Sequence, residues 1–265
     1  MRSSKPLFDE LAADYDGHFS APHRRAYDEL AWEHVVDLLP GGDAPALVVD
    51  AGCGVGRWAA RLIELGHCVI GIEQATAMIE AARARRLGPG FTLIEGSMDD
   101  VDLGRPEADL VLAMGSLQYS RDPEQTVARF AGWARPGGAV CVLVDSYVAL
   151  VLELLRAGRI GEALRCVETR VGTWTRNGIS ADLHLLDQAR LEAAFDRAGL
   201  VNVRTLGLLV GASAFGPETL KARLCNDWQR QFGLERRLAA DPLLANLGKQ
   251  ILASGRTEEG ERLTE

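Results

Sequence analysis

Short, almost wholly apolar runs recur through the first half of the chain. They span residues 46–50, 68–72, 91–94, 108–113 and 139–144. Such runs are typical of strands that are buried on both faces of a sheet. Between most of them the pattern predicts helices, over 56–65, 75–86 and 123–134, which end near glycine or proline. Strands that alternate with helices at this pace predict βαβ units and a parallel sheet.

Outside this alternation the pattern is mainly helical. The predicted elements are an amphipathic helical region over 1–40, a helix over 146–170, a turn-rich segment over 171–178, a helix capped by Asp187 that runs to Ala198, a closing hairpin over 202–206 and 208–212, a helical stretch over 217–251, and a frayed tail from Thr257. The segment 146–184 therefore interrupts an α/β pattern. Insertions of this kind usually shape a substrate pocket.

Composition narrows the classes of function. The chain has 265 residues, of which 47% are hydrophobic and 25% charged, as expected for one globular domain. No apolar run approaches the ~20 residues of a membrane span, and the start of the chain has no apolar leader, so we expect a cytoplasmic protein. Five cysteines and five histidines lack metal-site spacing, and no metal is expected. The net charge of −8 opposes binding to nucleic acid.

The most informative local motif is Asp50-Ala-Gly-Cys-Gly-Val-Gly56, at the end of the first predicted strand. Closely spaced glycines between a strand and a helix let a ligand approach the backbone. Glu73 ends the second predicted strand, where a doubly wound fold places an acid for ribose hydroxyls. These features predict a nucleoside cofactor. Arg57 stands where the dinucleotide-binding fingerprint requires its third glycine, so the loop does not match that fingerprint.

This loop resembles the first motif of class I S-adenosylmethionine-dependent methyltransferases. Glu73 and the segments 95–99, 109–114 and 135–138 resemble further motifs of that family in the expected order, across residues 46–145. The resemblance implies an α/β fold with a doubly wound, mainly parallel seven-stranded sheet and a helical insertion that forms a lid. It also implies S-adenosylmethionine as the cofactor and S-adenosylhomocysteine as its product.

The resemblance assigns cofactor contacts by position. Glu73 would bind the ribose, Asp99 the adenine amine, and Tyr15 the methionine end, with Arg24 or Arg25 on its carboxylate. The residues expected to bind the cofactor are Tyr15, Arg25, Asp50, Ala51, Gly52, Cys53, Gly54, Gly56, Glu73, Gln74, Met78, Gly96, Ser97, Met98, Asp99, Ala113, Met114 and Gly115.

Four residues are candidates for a role in catalysis: His18, His23, Tyr119 and His184. A base within hydrogen-bond reach helps when the methyl acceptor is a hydroxyl. A lone histidine is, however, more often a hydrogen-bonded structural residue. Tyr119 follows the fourth predicted strand and serves either as a pocket wall or as a hydroxyl donor. Trp174 is a candidate platform for the acceptor.

A second resemblance concerns the substrate. Residues 117–123, the insertion near Leu150 and segment 241–256 resemble the bacterial tRNA carboxymethoxyuridine methyltransferase family. That family has a lysine-rich insertion, whereas residues 160–187 carry only three cations, all arginines. We therefore expect O- or N-methylation of a small organic acceptor in specialised metabolism, with neither a nucleic-acid nor a membrane partner. A tRNA-modifying enzyme and a non-methylating cyclase or binding protein are the alternatives, and a homodimer is compatible with the sequence.

These expectations divide a single methyltransferase domain into four parts. They are an N-terminal helical lid over 1–40, a cofactor-binding core over 46–145, a substrate-pocket insertion over 146–184, and a C-terminal helix, hairpin and helical tail over 185–256.

Overall fold

A seven-stranded sheet with helices on both faces organises the chain in a computed structural model that describes residues 1–42, 44–104 and 107–259. The strands are β1 (Leu47–Ala51), β2 (Cys68–Glu73), β3 (Phe91–Glu95), β4 (Ala108–Met114), β5 (Ala134–Asp145), β6 (Val171–Arg176), β7 (Ile179–His184), β8 (Leu200–Leu208) and β9 (Gln250–Thr257). The helices are α1 (Lys5–Leu11), α2 (Tyr15–His18), α3 (Pro22–Leu38), α4 (Arg57–Glu64), α5 (Thr76–Ala84), α6 (Pro123–Trp133), α7 (Tyr147–Arg156), α8 (Ile160–Thr169), α9 (Gln188–Arg197), α10 (Val210–Phe215), α11 (Pro217–Asn226) and α12 (Trp228–Ala239).

The strand order confirms the predicted doubly wound topology. The strands lie in the order β3-β2-β1-β4-β5-β9-β8, with β1 to β5 parallel and β9 antiparallel to both of its neighbours. The chain moves outwards from β1 to β3 and then returns to β4 on the other side of β1. In such sheets ligands bind in the crevice beyond the carboxyl ends of the strands at this switch point. The loops after β1 and β4 therefore border the expected site.

The central strands β1 and β4 are almost wholly apolar because helices cover both faces of the sheet. Successive residues of a strand point to opposite faces. Val48 packs with α3 and α4 on one face, whereas its neighbour Val49 packs with α6 and α9 on the other. A strand buried on both faces therefore appears in the sequence as a short, uniformly apolar run and not as an alternation of polar and apolar residues.

The C-terminal part of the sheet differs from the prediction. No hairpin forms over 202–206 and 208–212, because β8 runs to Leu208 and Leu209, at φ 58°, turns the chain into α10. The partner of β8 is β9, which occupies the end of the stretch predicted to be helical and the start of the predicted frayed tail. Because β9 is buried on both faces between β5 and β8, it lacks the alternation that separates a strand from a buried helix.

The insertion also contains more structure than predicted. Residues 146–170 form two helices, α7 and α8, and the turn-rich segment is β6, paired with β7 in a separate two-stranded sheet. Asn177 and Gly178 turn the chain between these strands with φ of 48° and 78°. An Asn-Gly pair with two positive φ angles is the favoured turn of a tight hairpin. That dipeptide is the signal which predicts the hairpin.

Candidate functional site

The loop after β1 brings its backbone close to the carboxyl end of β4. Gly52 has φ 81°, and a Cβ there would lie 2.4 Å from Cβ of Ser116. The hydroxyl of Ser116 donates a hydrogen bond to the carbonyl oxygen of Ala51. Gly54, at φ 55°, faces Tyr15, whose hydroxyl would be 3.7 Å from an added Cβ. A side chain at either glycine would therefore fill the crevice or strain the backbone.

Glu73 holds this loop from the end of β2. Its carboxylate is 8% exposed and accepts hydrogen bonds from the backbone N–H groups of Gly54 (2.9 Å), Gln74 (2.8 Å) and Ala75 (2.8 Å). Burial raises the pKa of Glu73, although the three backbone donors oppose that change. The acid expected to bind a ribose thus also fixes the glycine loop.

Asp50 lies beneath the loop with a polar atom that lacks a partner. Its Oδ2 atom is buried and has no hydrogen-bond partner in the described part of the chain. Burial, and to a lesser degree the charge of Glu73, raise the pKa of Asp50 to about 7. An orphaned buried acceptor is rare in proteins and indicates that a ligand or water donates to it.

A narrow cleft, which we call the cofactor cleft, runs from the glycine loop across the ends of β2 and β4. Ten residues predicted to bind the cofactor line it: Tyr15, Gly52, Gly54, Glu73, Gln74, Met78, Gly96, Met98, Met114 and Gly115. Ser4, Phe8, Ile72, Ser116 and Tyr119 line it as well. Glycines, an acid at the ribose position and apolar methionine side chains fit S-adenosylmethionine, which would supply an electrophilic methyl group on sulfur.

Ser97 and Asp99 border an adjoining recess instead, which shares Ser4, Gln74 and Tyr119 with the cofactor cleft. The carboxylate of Asp99 accepts hydrogen bonds from the Thr126 hydroxyl and the Arg121 N–H, both 3.0 Å long. These bonds join the adenine-side loop to the start of α6. The role of Asp99 at the adenine amine remains a prediction.

The other predicted contacts lie behind or away from the cleft. Ala51 and Ala113 are fully buried in the core, the thiol of Cys53 is buried, and Gly56 caps α4. Burial raises the pKa of the Cys53 thiol. The side chains of Ala51, Cys53 and Ala113 are packed in the core behind the loop.

The structure corrects the choice between the two neighbouring arginines. Arg25 is exposed on α3, and its guanidinium lies 4.9 Å from the ring centroid of Trp228. Arg24 lines the cavity beside the cleft, where its guanidinium lies 6.0 Å from the ring centroid of Phe19 and makes no hydrogen bond or ion pair with the described residues. Because α3 turns by about 100° per residue, adjacent positions point in different directions.

The four candidate catalytic residues do not come together. His23 and His184 line neither the cofactor cleft nor the cavity beside it, and burial lowers the pKa of each. The side chain of His18 lies outside the part of the chain that the structure describes. Tyr119 alone lines the cleft, and burial raises its pKa, which favours a hydroxyl that donates a hydrogen bond.

A larger cavity of about 530 Å³, the acceptor cavity, adjoins the cofactor cleft. The two share Phe8, Tyr15, Met114, Gly115 and Tyr119. Aromatic rings dominate the near wall, with Phe8 edge-on to Tyr119 at 5.2 Å and to Trp174 at 6.0 Å. The far wall is polar and contains three residues that the sequence analysis missed: Gln118, Asp145 and Gln250. Asp145 could have been found from the sequence, because it is an acid directly after the fifth predicted strand, and ligands bind at the carboxyl ends of such strands.

Two segments that are distant in sequence close these spaces. Arg2 binds the carboxylate of Asp182 on β7 through its backbone N–H (2.8 Å), Nε (3.0 Å) and Nη2 (2.6 Å). Arg176 contacts Asp14 at 3.2 Å across the same junction. Lys5 joins the N-terminal segment to the core through the Gln74 carbonyl, 3.0 Å away. The N-terminal residues and the β6–β7 hairpin thus contact each other beside the cofactor cleft.

No helix in the described ranges is long and apolar enough to cross a membrane, and these ranges contain no cluster of three metal-ligating side chains.

The central part of the chain is similar to a known protein family. Residues 48–138 match the family model of the methyltransferase domain. Human methyltransferase-like protein 27 is 29% identical over 51% of this chain and 55% of its own. Trans-aconitate 2-methyltransferase of Deinococcus radiodurans is 28% identical over 66% of each. The tRNA 5-carboxymethoxyuridine methyltransferase of Escherichia coli is 26% identical over 57% of this chain and 60% of its own.

The chain spans between 55% and 66% of the length of these curated relatives. Solved structures extend the likeness of fold to nearly all of the chain. A chain from the complex with the Haloferax volcanii Trm112 methyltransferase activator aligns with a TM-score of 0.62 and 21% identity, over 98% of this chain and 100% of that one. DhpI in its S-adenosylmethionine complex aligns with a TM-score of 0.59 and 15% identity, over 95% of this chain and 94% of that one. Residues 48–138 are therefore similar to the methyltransferase domain, and the chain has the fold of class I S-adenosylmethionine-dependent methyltransferases.

Proposed function

We propose that this protein transfers the methyl group of S-adenosylmethionine to an O or N atom of a small organic acceptor, in specialised metabolism. The observation that carries the proposal is the acceptor cavity of about 530 Å³ beside the cofactor cleft. Its size lies within the range of small-molecule sites, roughly 300–1,000 Å³. The shared wall would bring an acceptor atom to the reactive end of the cofactor.

The chain's own residues would act mainly by placement. Glu73 and the glycine loop would hold the nucleoside, and Arg24 the carboxylate of the methionine part. The aromatic wall around Phe8 and Tyr119 would exclude water and orient the acceptor. Methyl transfer is an in-line displacement, so holding the two reacting atoms ~3–3.5 Å apart supplies much of the rate enhancement.

The rival proposal is a tRNA-modifying enzyme, which the Escherichia coli relative favours. The net charge of −8 and the size of the acceptor cavity favour a small acceptor instead. We also propose a cytoplasmic location, consistent with five cysteines that form no disulfides.

The test is a direct comparison of acceptors. We expect S-adenosylhomocysteine to form with members of a panel of aromatic amines, alcohols and acids, and not with bulk tRNA. Tritium transfer from labelled cofactor measures both. Robust labelling of tRNA, with binding to tRNA that weakens steeply as the salt concentration rises, would favour the tRNA-modifying enzyme over the small-molecule methyltransferase. Cofactor binding without turnover on any acceptor would favour the non-methylating alternative.

A further inference from the structure

The far wall of the acceptor cavity is made of hydrogen-bond acceptors around Asp145. This residue ends β5, and its carboxylate is held by two glutamine side chains. Gln118 donates from Nε2 to Oδ2 at 3.1 Å, while its Oε1 accepts from the backbone N–H of Asp145 at 2.6 Å. These paired bonds fix both the Gln118 amide and the direction of the carboxylate.

Gln250 completes the wall from β9. Its Nε2 donates to Oδ1 of Asp145 at 3.3 Å, which turns its Oε1 away from the carboxylate. That Oε1 is buried and has no partner in the described part of the chain. If the Gln250 amide were rotated by 180°, its oxygen would face the carboxylate of Asp145. The hydrogen bond to Asp145 therefore explains why the oxygen of Gln250 points away. The wall thus presents one carboxylate and one orphan carbonyl, and needs a ligand that donates several hydrogen bonds.

The cavity's other charges leave this carboxylate available. Lys249 is paired with Glu153, and Arg159 with Glu162. Arg24 also lines this cavity and has no ion pair in the described ranges; the charge of Asp145 acts on it and partly opposes the lowering of its pKa by burial. The carboxylate of Asp145 has two amide partners, and no cation of the described residues lies within ion-pair distance of it.

Asp145 also stands apart from the cofactor cleft. That cleft is lined mainly by residues at or after the ends of β1, β2, β3 and β4 and by the N-terminal segment, and Asp145 is not among them. It follows β5, on the far side of β4 from the glycine loop. The carboxylate therefore faces the space where the acceptor would lie.

We infer that Asp145 and Gln250 form the recognition site for the amine nitrogen of the methyl acceptor, so that the acceptor class is a primary or secondary amine with an apolar or aromatic body. This inference rests on the proposed function. An ammonium group offers two or three N–H donors for the acceptor wall, whereas a hydroxyl offers one. The aromatic rings that line the same cavity favour a cation as well.

The same carboxylate is placed to take the proton that N-methylation must release. The bound ammonium gives one proton to Asp145, which frees the nitrogen lone pair. The N–C bond forms as the C–S bond of the sulfonium breaks, and that electron pair stays on sulfur. Water then takes the proton from Asp145, so charge and atoms balance.

Binding of matched probes to the complex with S-adenosylhomocysteine tests the inference. We would use 2-phenylethylamine, 2-phenylethanol and phenylacetate, which differ mainly in the polar group, with calorimetry as the readout. We expect the amine to bind at least about tenfold more tightly than the other two. Asp145→Asn should remove that preference and leave the affinity for S-adenosylhomocysteine unchanged. Gln250→Met should weaken amine binding several-fold while Asp145 is intact.

Asp196→Asn is the matched control, because Asp196 is exposed on α9 and outside both cavities. Tighter binding of phenylacetate, no binding of the amine, or an Asp145→Asn variant that loses S-adenosylhomocysteine and the amine equally would each overturn the inference. Selective amine binding without S-adenosylhomocysteine formation from any acceptor would instead refute the proposed methyl transfer and leave the amine site standing.

Discussion

Replacing Glu73 separates two roles that the structure gives to one carboxylate. Glu73→Ala removes the acceptor for three backbone N–H groups, those of Gly54, Gln74 and Ala75. It also removes the group expected to accept hydrogen bonds from the ribose. Glu73→Gln keeps the shape of the side chain. Its oxygen can still serve Gln74 and Ala75, but its NH₂ would face the N–H of Gly54.

The structure sets the size of each effect. A hydrogen bond to a charged group contributes about 1.5–3 kcal/mol. Gly54 and Gln74 border the cleft, where water can replace the lost carboxylate, whereas Ala75 is fully buried. We therefore expect Glu73→Ala to lower the free energy of unfolding by about 2–4 kcal/mol, and Glu73→Gln by less. Loss of the ribose contact should raise the Kd for S-adenosylhomocysteine roughly 10- to 150-fold in the alanine variant.

Urea denaturation and calorimetry measure these two quantities separately. Glu95 provides the control, because it pairs with Glu73 in the register of β2 and β3 but is exposed, beside Arg83. Glu95→Ala should change neither quantity appreciably. A folded Glu73→Ala protein that binds S-adenosylhomocysteine with unchanged affinity would refute the assignment of the ribose acid.

Three further variants probe the buried acid, the loop and the lid of the cleft. Because the pKa of Asp50 is about 7 in the folded protein and roughly 3.9 in the unfolded chain, the folded state binds the extra proton. Wild-type stability should thus fall by about 2–3 kcal/mol more than that of Asp50→Asn between pH 5 and pH 8, and parallel urea profiles would contradict this. Gly54→Val should fold less stably and lose S-adenosylhomocysteine binding, and calorimetry showing normal affinity would place the cofactor elsewhere. Arg2→Ala removes the contact with Asp182 and should speed release of S-adenosylhomocysteine in stopped-flow experiments, whereas Arg83→Ala should not; equal rates would rule out the lid.

The sequence by itself determined the sheet and the cofactor side of the site. Five uniform apolar runs predicted β1 to β5 because parallel strands are buried on both faces. A ligand can approach the backbone closely only where glycines follow β1, and a ribose contact needs an acid at the end of β2. Both requirements fall on residues close together in the sequence, so their spacing predicts the cofactor side of the site. Ten predicted contacts consequently line one cleft.

Only the tertiary structure decided the acceptor side and the closing strands. The sequence of β9 has no alternation of polar and apolar residues, because the strand is buried between β5 and β8. Its pairing with those two strands is what makes it a strand. Arg24 and Arg25 are equivalent in sequence, and the packing of α3 selects which one faces the cavity. The wall of Gln118, Asp145 and Gln250 joins residues up to 132 positions apart. Its members acquire their roles from hydrogen bonds across strands, which no local pattern records.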